Sequence, residues 1–354
     1  MHFLQTDHLK AGMRLAGAIY GKQGEILYER GSRLTEQDVD HISRLKVFGV
    51  PVLDAAEPAP PMTEQEQELE NFRAATAASV QEELDGILRT KRASRLTTVA
   101  ENIIHNYGYL EKRIEFLQDV RSREDFVCKH MLNAAILCTM MSHIMNVRRD
   151  EQLATIQAAL LHDAGRLAMA DRAFEVGDSI QEAEGILRDA QVSMHPLIEA
   201  ILPEGKAVRR ICMQAQQAID RMEQEDMQEA KHVTGAKILA VADMYDRMTA
   251  MGQWNMPMSA VAVLKHMRKY PKCFDVSVLD ALTKSIHFLK PGDSVVLTTG
   301  EKALVIQENQ TDVLRPVVIS IADNSIIDLG DRQTYGDIEV EDVLKTLDNR
   351  VKIQ

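Results

Sequence analysis

An imidazole followed at once by a carboxylate, closing an apolar run, is the strongest offer of chemistry in this chain: Leu160-Leu161-His162-Asp163-Ala164-Gly165-Arg166. Ile156, Ala159, Leu160 and Leu161 make an apolar helical run that predicts burial. An Asp at the end of such a run is costly unless it is paired, hydrogen-bonded or metal-bound. Gly165, two residues on, predicts a helix end or a close backbone approach. His162 and Asp163 therefore sit where a chain can hold two ligands rigidly. The plainer reading is a helix-terminal His-Asp pair satisfied by backbone groups.

Two further residues share the oddity of a polar group in an apolar run. His130 lies within Phe126–Met145, which is rich in Met, Ala, Ile and Leu. Asp243 closes Ala236-Lys-Ile-Leu-Ala-Val-Ala and is followed by Met-Tyr-Asp246. Singly, each is more often a structural residue than a ligand. Together with His162 and Asp163 they supply two imidazoles and two carboxylates from three helices. That donor set suits Fe, Mn, Zn or Ni, and the carboxylates admit Mg. His195, in Ser-Met-His195-Pro196, is a fifth candidate ligand; its plainer reading is a residue at a helix start beside a proline turn. The chain has no Gly-rich phosphate loop, no GxGxxG, no GxSxG and no HExxH. The commonest nucleotide, dinucleotide, serine-hydrolase and zincin chemistries are thereby excluded.

The elements that must position these residues follow from composition and pattern. The chain has 354 residues, 45% of them hydrophobic and 27% charged, enough for about two or three globular domains with a sizeable core. Aromatic residues are only 5% and Met numbers 18, which favours a Leu/Ala/Met-packed helical body over a β-sandwich. Residues 1–53 read as a small α+β module. Met13–Tyr20 and Ile26–Tyr28 are β-like, Thr35 opens a helix, and Val47–Leu53 is β-like again. Residues 54–62, with Pro58, Pro60 and Pro61, read as a linker. Residues 63–288 read as helical almost throughout, with apolar spacing such as Ile103, Ile104, Tyr107, Leu110 and Ile114. Residues 289–354 read as a β-rich module, with runs at Ser294–Thr298, Ala303–Gln307 and Val317–Ile321. The fold class expected is mainly α.

The net charge of −12 opposes non-specific binding to nucleic acid polymers or anionic membranes. No apolar run is long enough to insert in a membrane. Met1–His8 carries no basic stretch followed by an apolar run, so no secretory leader is expected. Cys128, Cys138, Cys212 and Cys273 form no CxxC pair, and reduced thiols in a cytoplasmic protein are expected.

His130, then His162-Asp163, then Asp243 in a Val-Ala-Asp-Met-Tyr-Asp context, resembles the ordered ligand pattern of the HD phosphohydrolase superfamily. The finer resemblance is to its bacterial HD-GYP branch, the cyclic di-GMP phosphodiesterases. His195-Pro196 resembles that branch's next ligand motif, and Ile238–Thr249 its "arIlavaDvyDAlt" segment. Residues 9–53 and Phe288–Val318 resemble its N-terminal module and its β-rich end. The resemblance covers most of the chain in order and implies a helical HD-type bundle. It implies a divalent metal held by His130, His162, Asp163, His195 and Asp243, with Asp163 and Arg166 catalytic in an active member. Several positions depart from the pattern. Met213-Gln214-Ala215-Gln216-Gln217 stands where a His-His-Glu run belongs, and no Gly-Tyr-Pro follows. Arg166 replaces a lysine, and Glu175-Val176-Gly177 replaces a Lys-Pro-Gly element. The resemblance with these losses implies one metal rather than a cluster. The expected role is binding of cyclic di-GMP or of a signalling protein, with little or no hydrolysis.

Overall fold

In the computed structural model, residues 2–53, 62–175, 182, 185–187, 189–190, 194–225, 231–252 and 256–344 are described. The expected linker, apart from Met62, lies outside them, as do Val176, Gly177 and residues 345–354.

The N-terminal module pairs β1 (His2–Gln5) and β2 (Arg14–Leu15) on either side of β5 (Gly49–Leu53), all antiparallel. The expected single strand Met13–Tyr20 is two. β2 joins that sheet, whereas β3 (Ile19–Tyr20) pairs with β4 (Ile26–Tyr28). The break falls at Ala16–Ala18: the Ala16 N–H still donates to the Pro51 carbonyl, in register with the β2–β5 pair, and the chain bends at Ala16 and Gly17 before β3. Thr35 caps α1 (Glu36–Arg44) in a reciprocal box with Asp38, which satisfies two groups that the helix start leaves open. Leu15, Ile19, Leu34, Ile42, Val50 and Val52 form this module's own core, and Val120 from the body completes it.

The body begins with α2 (Glu64–Thr90), capped by a Thr63–Glu66 box. It continues through α3 (Leu96–Tyr107), α4 (Phe126–Ile144), α5 (Arg149–Ala159), α6 (Ala164–Glu175), α7 (Met194–Ile201), α8 (Lys206–Glu223), α9 (Thr234–Thr249), α10 (Ala260–Arg268) and α11 (Val276–Ser285). The apolar spacing from Ile103 to Ile114 does not make one helix. α3 stops at Tyr107 with Gly108 as its cap, and Ile114 instead bridges to Ile286. Its side chain is buried either way, so periodicity alone does not reveal the stop. Helix α4 is buried on nearly every face from Val127 to Ser142 and forms the centre of the bundle.

The C-terminal sheet has five antiparallel strands in the order β10-β6-β7-β8-β9. Strands β6 (Ser294–Leu297), β7 (Lys302–Gln307) and β8 (Val317–Ser320) match the expected runs. Strands β9 (Ile326–Asp328) and β10 (Val340–Val343) are additions. Both are short edge strands with exposed positions, so their apolar signal is thin. The sheet's buried face, including Val295, Leu297, Val305 and Val318, is continuous with the core of the bundle. No helix of the described residues is long and apolar enough to cross a membrane.

Candidate metal centre

Three elements converge on one buried point. α4 supplies His130, the turn between α5 and α6 supplies His162 and Asp163, and α9 supplies Asp243. All four are at most 4% exposed. Helix α5 ends at Ala159, so His162 and Asp163 lie in a tight turn, and Gly165 lies just inside the next helix rather than at a helix end. The Leu161 carbonyl accepts from the Ala164 N–H and the Asp163 carbonyl from the Leu167 N–H, which fixes that turn.

The two imidazoles are oriented by acceptors behind them. His130 Nδ1 lies 2.6 Å from Asp246 Oδ2, and His162 Nδ1 lies 2.7 Å from the Ala159 carbonyl oxygen. A carboxylate and a carbonyl can only accept, so each Nδ1 carries the proton and donates it. Both Nε2 atoms then face the centre, 3.2 Å apart. His130 Nε2 is also 3.1 Å from Asp243 Oδ1 and 3.7 Å from Asp163 Oδ2, and His162 Nε2 is 3.7 Å from Asp243 Oδ2. Ligand atoms about 2.1 Å from one ion, at tetrahedral to octahedral angles, are about 3.0–3.4 Å apart. The His130–His162 and His130–Asp243 separations match that range. Of the four residues, His130, His162 and Asp163 bring three donor atoms within 4.8 Å of one another, a set that fits a divalent cation.

Around these four stands a layer that the sequence reading did not single out. Asp246 accepts from Arg121 Nη2, which is 2.7 Å from both carboxylate oxygens, and from Asn133 Nδ2 at 3.0 Å. Burial would raise the Asp246 carboxyl, but the Arg121 charge and the His130 hydrogen bond outweigh it and hold it at about 2. Gln118 accepts from Arg121 and donates to Thr249 Oγ1, which closes the network. Arg247 Nη2 lies 3.1 Å from both oxygens of Asp163, and its Nε forms an ion pair with Asp243. Arg166 Nη1 reaches Asp163 Oδ2 at 3.4 Å. Burial would raise Asp163 and Asp243, yet both carboxyls lie below the ordinary range because of the Arg247 charge and then their other cationic neighbours. Burial would likewise lower His130, but Asp243 and Asp246 raise it instead. The available signal was spacing. Asp246 and Arg247 follow Asp243 by three and four residues, hence on its helix face, and Asn133 follows His130 by three. Arg247 also stands where the quoted family segment has Ala. Arg121 lies in the irregular stretch before α4, where no periodicity marks it.

The remaining expected ligand, His195, falls in α7, and its side chain lies outside the described residues. On α8, Ala215 is buried in the core at 3% exposure, Gln216 donates to Asp220 Oδ1, and Gln217 is exposed. Cys212, also on α8, is close enough to Asp163 that the carboxylate adds to burial in raising its thiol pKa.

No family model matches the chain, and no curated protein matches it. Among solved structures it is similar to Bd1817, a HDG"Y"P protein from Bdellovibrio bacteriovorus, with 10% sequence identity and a TM-score of 0.44, over 79% of this chain and 97% of that one.

Proposed function

We propose that this chain is a cytoplasmic cyclic di-GMP signalling protein of the HD-GYP type with a degenerate active site. In this reading it holds one divalent cation and binds a nucleotide or a protein partner with little or no hydrolysis. One observation carries the reading. His130, His162, Asp163 and Asp243 converge as a buried donor set, whereas α8 offers Ala215 and Gln216 where further imidazoles are expected. A divalent ion bound there, whether Fe, Mn, Zn, Ni or Mg, polarises phosphoryl oxygens and acidifies water. The chain's own contribution is orientation. Asp246 and the Ala159 carbonyl fix the two imidazoles, and partners of that kind are worth about 10–100-fold in metal affinity. Neither Ala215 nor Gln216 supplies an imidazole for a second ion. Each missing electrostatic contact to a transition state costs about 3–4 kcal/mol, or roughly 10²–10³ in rate.

The alternative reading is an active metal-dependent phosphodiesterase acting on cyclic di-GMP or another phosphoester. Arg166 favours it, because it brings a partly buried guanidinium beside Asp163, so that these two residues would be the catalytic pair. Turnover of cyclic di-GMP by the purified full chain, with Mn²⁺ or Fe²⁺ supplied, separates the two. The degenerate reading expects rates far below 1 s⁻¹. A rate of about 1 s⁻¹ or more, ordinary for an enzyme, overturns it in favour of the alternative.

A further inference from the structure

Three carboxylates surround the centre, those of Asp163, Asp243 and Asp246. Three guanidiniums face them, those of Arg121, Arg166 and Arg247. The three guanidiniums therefore balance the three carboxylates before any metal enters. Arg121 is committed to Asp246, on the far side of His130. Arg247 is different, because it holds the two carboxylates that also belong to the donor set. Its Nη2 lies 3.1 Å from both oxygens of Asp163, and its Nε pairs with Asp243. A cation and this guanidinium need the same oxygen lone pairs, and like charges that close repel strongly in a buried site.

Arg247 also has a way out. Its side chain is 26% exposed, against 2% for both aspartates. Glu223, exposed at the end of α8, is a third anion near enough to stabilise the Arg247 charge. The guanidinium is thus more open to solvent than the two carboxylates it holds.

We propose that Arg247 is a built-in competitor for the metal: it is the resident counter-ion of Asp163 and Asp243, and a divalent cation loads only when the guanidinium turns outward toward Glu223. This rests on the reading of the four side chains as a metal site. It makes cation affinity low by construction and tunable through one side chain.

The test is calorimetric titration of the full chain with Mn²⁺, for wild type, R247Q, R247K and E223Q, with thermal melts in parallel. A competing ligand of this kind shifts affinity by about 5–150-fold. R247Q should bind one Mn²⁺ at least about tenfold more tightly than wild type. It should melt lower than wild type without metal and gain more from added Mn²⁺. R247K, which keeps the charge, should stay near wild type, and E223Q, which removes the outer anion, should bind more weakly. Equal or weaker binding by R247Q, with one ion still bound by both proteins, overturns the inference and leaves the metal reading intact. Absence of binding in every variant overturns the metal reading itself. If R247Q does not fold, E223Q decides: unchanged affinity in that variant overturns the outward turn.

Discussion

The chemistry of this molecule is concentrated in a few buried polar side chains, each of which is tolerable only because another answers it. Asp246 is fully buried, and Arg121 is 5% exposed. A buried pair contributes little net stability, but removing one partner strands the other. Arg121→Ala should therefore lower unfolding free energy by about 3–5 kcal/mol, read from urea denaturation, and should loosen the orientation of His130. A loss within about 0.5 kcal/mol, the range of ordinary surface changes, would mean that Asp246 is not held as described. His130, His162, Asp163 and Asp243 were legible in the sequence because a charge or imidazole in an apolar helical run needs a reason. The second layer was less legible. Asp246 and Arg247 are ordinary residues on a helix until the face they share with Asp243 is seen to be interior. Arg121 approaches from a stretch with no regular spacing at all.

The helices bring these side chains together by close packing, and one position shows how tight it is. A Cβ on Gly235, at the start of α9, would lie 2.3 Å from Thr155 Oγ1 of α5 and 2.9 Å from Ile211 Cδ1 of α8. Helix propensity alone favours Ala over Gly by about 1 kcal/mol. The clash has the opposite sign, and overpacking costs about 1–3 kcal/mol. Gly235→Ala should therefore destabilise the protein, and a raised melting temperature would show that the three helices are not in contact there. At this scale the helical body was readable from the spacing of apolar residues, and α1 from its Thr35 cap. Where the reading failed, the cause was local. Gly108 stops α3 although Leu110 and Ile114 keep helical spacing. The strand expected over Met13–Tyr20 divides because its two ends join different sheets.

Across the whole molecule, one tie between the N-terminal module and the centre runs through residues 120–122 of the body, beside contacts such as Tyr20 with Asn71 and Arg30 with Glu115. The Phe48 N–H donates to the Arg121 carbonyl at 2.8 Å, Val47 bridges to Ser122, and Val120 completes the module's core. The side chain of that same Arg121 holds Asp246, which orients His130. Module, body and site thus share a residue, and the C-terminal sheet shares the body's core. The mainly helical architecture with two small β-containing ends was visible in the composition and in the change of pattern near Lys290. The link through residues 120–122 was not, because it depends on tertiary contacts with no sequence period. We propose that this assembly builds a single cation site from His130, His162, Asp163 and Asp243. The most direct measurement is the number of Mn²⁺ ions bound per chain at saturation, compared between wild type and Asp163→Asn. One ion per wild-type chain and none in the variant are expected. Two ions per chain, none in the wild type, or one ion that survives in Asp163→Asn would contradict this proposal.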